Sequence, residues 1–311
     1  MLLVDTLAPL VLLIMLGAGL AHLRFLGSAF MADLNKLAFW IALPALLFTS
    51  ANNAAAPDAQ TWRLLAVLFA ATVLITLVAL GASFAWRMPG GVRGTLMQSA
   101  FRGNLAYIGI PVLAYSFSET EADGERAMAT AVIVMVLTMA FYNILAVIVL
   151  QASNHSAKRA DWRQLTRAIA TNPLLLSGML GLLVPLLGVT LPSFLQRALE
   201  ALGSAAVPIA LMCIGGSLAT TPLQGRRSWI VTAALLKVAV LPALVFLLSR
   251  FAGLGPFEQR TALVLSSCPT AAAAFVMARQ MGGDEALASG SIALSTVLSS
   301  ISLAIALWAT A

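Results

Sequence analysis

The chain is predicted to be an all-α polytopic membrane protein, and three observations carry that prediction. Sixty per cent of its 311 residues are hydrophobic and only 10% are charged, with a mean hydropathy of +0.95. A soluble domain carries about a quarter charged residues. The apolar residues fall in stretches near the roughly 20 residues that cross about 30 Å of hydrocarbon. About ten such stretches are readable, at 5–23, 35–50, 63–86, 94–117, 126–151, 172–188, 194–219, 229–250, 258–280 and 284–309. The longest hydrophilic interval, near 152–168, reads as a loop, so little chain is left for a soluble domain.

The first stretch lacks a basic leader, carries Asp5, and shows no small-residue cleavage site before Arg24. It is expected to be a retained helix, not a signal peptide. The second holds Pro44 and the seventh Pro208. The fourth is the most informative: Gly103-Asn104-Leu105-Ala106-Tyr107-Ile108-Gly109-Ile110-Pro111 follows a cation, Arg102, and ends in Gly-x-Pro. Proline removes a donor and forces φ, which kinks or breaks a helix. Backbone that leaves the helical ladder in lipid survives where it is buried or lines a polar cavity. A plain proline kink is the alternative. The eighth stretch contains Lys237. The ninth, Leu265-Ser266-Ser267-Cys268-Pro269-Thr270-Ala271-Ala272-Ala273-Ala274, is rich in small residues, which permit close helix approach. They would also let an unwound segment cross a partner, with half-helix N-termini presenting N–H groups to an anion.

Several function classes are set aside. The pI near 10.0 comes from scattered loop cations with no aromatic interleaving, so nucleic acid is not an expected partner. Cys213 and Cys268 read as buried free thiols, and His22 and His155 lie far from other ligand types, so no metal or other cofactor is expected. No phosphate-cradling Gly-x-x-x-x-Gly-Lys is present. Ser266, Ser267 and Cys268 are nucleophiles by type, but no His or Asp is placed to activate them. The chain is not expected to be an enzyme, and no ring of like polar groups suggests a channel.

With ten spans, alternate loops share a side. Arg24, Lys36, Arg87, Arg93, Lys158, Arg159, Arg163, Arg167, Arg226, Arg227 and Arg279 make eleven cations on one side, against five (Arg63, Arg126, Arg197, Arg250 and Arg260) on the other. The richer side is cytoplasmic, so both termini are expected outside the cytoplasm. Glu119, Glu121, Asp123 and Glu125 then form a solvated outer loop. The expected organisation is a first five-helix repeat at 1–151, a basic cytoplasmic connection at 152–171, and a second, inverted repeat at 172–311. Traces of duplication support it. Ala42-Leu43-Pro44-Ala45-Leu46-Leu47 resembles Ala206-Val207-Pro208-Ile209-Ala210-Leu211. Gly124-Glu125-Arg126-Ala127-Met128-Ala129 opens the fifth span as Gly283-Asp284-Glu285-Ala286-Leu287-Ala288 opens the tenth.

Gly-Asn-x4-Gly-Ile-Pro at 103–111 is similar to the first crossover of the auxin efflux carrier family, which includes the plant PIN proteins and bacterial PIN-like carriers. Asn35-Lys36-Leu37 leading to Pro44-Ala45-Leu46-Leu47-Phe48, Pro208-Ile209-Ala210-Leu211 leading to Gly215-Gly216-Ser217-Leu218, and Cys268-Pro269-Thr270-Ala271 leading to Ala278-Arg279 extend the likeness over nearly the whole length. The resemblance implies two inverted five-helix repeats with broken crossover helices, a sodium/proton antiporter-like fold. Spans one, two, six and seven would form a scaffold and the others a moving transport domain. It also implies a homodimer in the plasma membrane, in contact with lipid, carrying a small organic anion such as a mono- or dicarboxylate. Plant members have a second proline near the position of Ala274, so the second break is expected nearer Pro269 or milder. The long cytoplasmic loop of many plant members is missing.

Candidate substrate-binding residues on the first crossover are Asn104, Arg102, Tyr107, Gly109, Ile110 and Pro111. Those elsewhere are Pro269, Thr270, Ala271, Ala274, Pro44 and Lys237. Arg102 and Lys237 are the charges clearly inside spans, with no acid beside them. A cation at depth costs roughly 2.5–3.5 kcal/mol and marks function or a satisfied pair. An anionic substrate could complete it, or the side chain could snorkel or cap carbonyls. Asn104 can bond a carboxylate through its amide. Tyr107 could touch substrate or serve packing. Without buried acids, uniport is the simpler expectation, since an inside-negative potential favours anion exit by about 2.3 kcal/mol per charge per 100 mV. The alternative is a sodium- or proton-coupled symporter of the bile-acid type.

Overall fold

Pro44, Pro111 and Pro242 shape three helices in one way. Each follows a five-residue π turn, at Ala38–Ala42, Leu105–Gly109 and Leu236–Val240, and occupies the first turn of the next helix. A proline there lacks the N–H that an α-helix would bond four residues back, and its ring strikes that carbonyl. The wider π turn relieves the clash without ending the helix.

The computed structural model describes residues 2–23, 25–53, 57–117, 121–153, 170–220 and 225–310. Helices run α1 Leu2–His22, α2 Ser28–Leu37, α3 Leu43–Asn52, α4 Ala59–Ala85, α5 Gly90–Phe101, α6 Ile110–Ser116, α7 Glu121–Ser153, α8 Pro173–Leu186, α9 Ser193–Ser204, α10 Ala206–Thr220, α11 Arg227–Leu235, α12 Leu241–Phe251, α13 Pro256–Ser267, α14 Ala273–Gln280 and α15 Glu285–Trp308. Among the described residues there is no strand, only an isolated bridge between Gly103 and Thr270. Among the described residues, six helical stretches are long and apolar enough to cross a membrane: Ala29–Asn52, Ala59–Ala85, Met128–Ser153, Ser193–Gly216, Arg227–Phe251 and Glu285–Trp308. Shorter apolar helices lie at Ala8–His22, Leu105–Ser116 and Pro173–Leu186. Arg24, Glu119, Lys158, Arg159, Arg163, Arg167 and most of the expected connection lie outside the described residues, as do the side chains of Glu121, Asp123 and Glu125.

The chain divides into two compact units. The first comprises 1–57, 106–137 and 169–221, so it gathers α1, α2, α3, α6, α8, α9, α10 and the start of α7. Small residues bring its helices together. A Cβ on Gly17 of α1 would fall 2.1 Å from the Met212 carbonyl oxygen of α10, and one on Gly215 of α10 would fall 1.9 Å from that of Ile14. Those two glycines let the backbones of α1 and α10 touch, the contact geometry that small residues provide between membrane helices.

The second unit comprises 58–105, 138–168 and 222–311. Here α4 packs on α5 and α12, while α15 packs on α5, α11 and α13. Asp58 caps α4 by accepting from the Thr61 N–H at 2.8 Å and the Thr61 hydroxyl at 2.7 Å. These bonds hold its carboxyl below the ordinary aspartate range. Asp284 caps α15 by accepting from Leu287 N–H at 2.8 Å, and its own N–H donates to Thr95 Oγ1 at 2.9 Å. Within the apolar helices, hydroxyls of Thr72, Thr76 and Ser291 return to the carbonyls of Leu68, Thr72 and Leu287, which satisfies them without water. Val73, Leu77 and Phe84 leave α4 exposed, an apolar face suited to lipid.

Candidate functional site

Two helices of the second unit stop at the same place. Helix α5 ends at Phe101, where Arg102 turns extended at φ −71° and ψ 93°. Helix α13 ends at Ser267, where Cys268 turns extended at φ −58° and ψ 143°. The released segments pair with each other. Asn104 N–H donates to the Pro269 carbonyl at 2.8 Å, and Ala271 N–H donates to the Arg102 carbonyl at 2.9 Å, flanking the antiparallel bridge of Gly103 with Thr270. Backbone outside a helix is thus satisfied by backbone from the other break, as lipid burial demands. A Cβ on Gly103 would lie 2.9 Å from the tip of Leu105, Cδ2, and 3.5 Å from both the Leu265 carbonyl oxygen and the Lys237 ammonium, so the segment is closely packed.

The break lies at the start of the stretch expected to interrupt the fourth span, not at its proline end. Gly109, Ile110 and Pro111 are buried and helical or in the π turn; the chain opens seven residues earlier, at Arg102–Asn104. Pro111 is accommodated by the π turn before it, whereas Arg102 and Asn104, on either side of Gly103, bond the backbone of the other broken segment. In the ninth stretch the opening spans 268–272, centred near Pro269. Ala274 belongs to α14, and its carbonyl accepts from Gln98 Nε2 at 2.9 Å.

Side chains close the helix ends. Thr270 Oγ1 donates to the Ser99 carbonyl of α5 at 2.8 Å, and Thr270 N–H donates to Ser295 Oγ at 3.0 Å. Lys237, fully buried, donates to the Ser266 carbonyl of α13 at 2.7 Å. A helix leaves its last four carbonyls without intrahelical partners, so each incoming helix has one end-carbonyl capped by a side chain from elsewhere. Arg102, 7% exposed, donates to Asn143 Oδ1 of α7 and to Met277 Sδ at 3.0 Å. The side-chain amide of Asn104 is half-buried and makes no hydrogen bond among the described residues.

Of the candidates, Arg102, Asn104, Lys237, Pro269, Thr270, Ala271 and Ala274 all lie in the second unit and meet at the crossing. Tyr107, Gly109, Ile110, Pro111 and Pro44 belong to the first unit. There Tyr107, half-buried, donates its hydroxyl to Asn35 Oδ1 at 3.0 Å, and Pro44 follows its π turn. Gln98, Asn143 and Ser295 are structural partners that sequence reasoning missed. An amide inside an apolar stretch was the available signal for Asn143.

A helical membrane protein whose two interrupted helices pair at a buried polar crossing has the build of a carrier. The chain belongs to the membrane transport protein family, that of the auxin efflux carriers, which it matches over residues 2–307. It is 27% identical over 285 residues to an uncharacterized transporter of Methanocaldococcus jannaschii, covering 88% of this chain and 87% of that one. It is 28% identical over 272 residues to a protein of Rhizobium meliloti named "putative malonate transporter", covering 86% and 83%. It is a membrane transporter and not an enzyme.

Proposed function

We propose that the protein carries a small organic anion, a mono- or dicarboxylate of the malonate or auxin type, outward across the plasma membrane. The observation that carries this reading is the Asn104 side chain, which stands half-buried and unbonded at a crossing whose main chain is already satisfied. Its –NH2 group offers two donors to a carboxylate. Ala272 and Ala273 open α14 on an exposed face, where a helix N-terminus favours negative charge. Arg102 holds the local potential positive while bonded to Asn143 and Met277. The name of the R. meliloti relative supports the carboxylate class.

In this reading the chain crosses the membrane ten times, in inverted repeats at 1–151 and 172–311 joined by a cytoplasmic basic connection. It works as an elevator-type homodimer with both termini outside the cytoplasm. Family membership, the eleven-to-five cation asymmetry and the matching breaks at 102–104 and 268–272 support it.

Thermal stability of the purified protein against malonate, malate and indole-3-acetate tests the function, because a true ligand stabilises the fold by mass action. Saturable stabilisation is expected for at least one, and it should weaken about tenfold to a hundredfold in apparent affinity in Asn104→Ala, as loss of a bond to a charged group of roughly 1.5–3 kcal/mol implies. Equal affinities in the two proteins would place the carboxylate elsewhere.

A further inference from the structure

Among the described residues, Lys237 is the most deeply buried charged side chain, and the proposed anion binding leaves it without a task. It is 0% exposed, lies in the π turn Leu236–Val240, and is held by a main-chain carbonyl, Ser266 O at 2.7 Å. That carbonyl belongs to the last turn of α13, whose C-terminal end carries about half a negative elementary charge. The ammonium reaches the other broken segment as well, lying 3.5 Å from where a Cβ on Gly103 would stand, as does the Leu265 carbonyl oxygen. Next in the chain, Ser267 is 0% exposed and its Oγ has no hydrogen-bond partner. The last turn of α13 thus carries the Ser266 carbonyl bonded to the Lys237 Nζ, with the Leu265 carbonyl and the unbonded Ser267 hydroxyl as its sequence neighbours. Carbonyl and hydroxyl oxygens at the C-terminal end of a broken membrane helix are the ligands that carriers use for an alkali cation.

We propose that Lys237 is a built-in cation: its ammonium fills the position that dissolved sodium or potassium would otherwise occupy behind the crossing, so the carrier keeps its broken helices together without a coupling metal ion. A covalently attached charge neutralises the helix end in every step of the cycle and is never released. The proposal concerns the crossing itself and is read without any substrate, so its failure leaves the anion-carrier reading standing and the converse also holds.

The test compares thermal melts of purified protein in sodium, potassium and choline chloride at equal ionic strength. The wild-type protein and Lys237→Arg should melt at the same temperature in all three salts. Lys237→Ala should be destabilised in choline and should recover saturably in sodium or potassium, with a shift of several degrees at saturation. A wild-type protein stabilised specifically by sodium overturns the proposal, whatever the variants do. So does a Lys237→Ala protein that none of the cations recovers, whether it is folded and indifferent to salt or aggregated in all three.

Discussion

Asn104 and Pro269, one from each broken helix, are joined by a main-chain hydrogen bond of 2.8 Å from the Asn104 N–H to the Pro269 carbonyl. That bond separates two tasks within one residue. The backbone of Asn104 closes the crossing, and its side chain, half-buried and without a hydrogen bond among the described residues, is the group proposed to meet the ligand. Substitution of the side chain therefore probes binding with little disturbance of the break, which makes Asn104→Ala a clean variant.

Thr270 carries more structural weight than its size suggests. Its hydroxyl caps the Ser99 carbonyl at 2.8 Å and its N–H meets Ser295 Oγ at 3.0 Å. Thr270→Val keeps the shape and removes the hydroxyl, leaving a buried carbonyl short of a partner at a cost of about 1–3 kcal/mol. A lowered melting temperature is expected, with recovery in Thr270→Ser. Equal melting of Thr270→Val and wild type would show that the cap contributes nothing.

Arg102 is expected to act as a positioning residue through Asn143. Asn143→Leu should destabilise the protein by roughly 1.5–3 kcal/mol, because it strips a buried guanidinium of an acceptor. Adding Arg102→Met should restore part of that loss, and a double-mutant cycle on melting measures the coupling. Arg102→Met alone should change ligand affinity much less than Asn104→Ala does. A larger affinity loss for Arg102→Met would put the guanidinium on the substrate.

The contact of α1 with α10 leaves no room for a side chain at Gly215, where a Cβ would sit 1.9 Å from the Ile14 carbonyl oxygen. Gly215→Val should cost about 1–3 kcal/mol or more through overpacking and lower the yield of monodisperse protein in detergent. A normal melting curve would mean that the two helices separate easily.

Asp58 gives the second unit an acid-sensitive cap. Bonding to Thr61 lowers its folded pKa, so its stabilisation is fully present above the unfolded value near 4 and is lost as pH falls through the lower folded value. Melting scans from pH 7 to pH 3 should show a loss in wild type that is smaller in Asp58→Asn, which keeps an N-cap acceptor. Identical pH profiles would remove Asp58 from the account.

Reporter fusions test the orientation. Fusions after Ala311 should report a non-cytoplasmic position, and insertions near Lys158 a cytoplasmic one. A cytoplasmic C-terminus would overturn the inverted repeat along with the topology.

Class and family were legible from residues alone. Apolar stretches at bilayer length left no other fold class, and Gly103-Asn104 with Pro111, together with Cys268-Pro269-Thr270, marked both interrupted helices. A sequence states where a helix has reason to break, because glycine and proline act on their own turn. It does not state which reason prevails. Pro111 was the stronger local signal, yet the π turn Leu105–Gly109 absorbed it, and the chain opened at Gly103 because the 268–272 segment lay there to pair with it. The partners of the buried cations were likewise beyond local reading. Asn143 stands 41 residues from Arg102, and Ser266 stands 29 from Lys237. A buried charge is satisfied by whatever packing brings within about 3 Å, and that distance exists only once the helices have assembled.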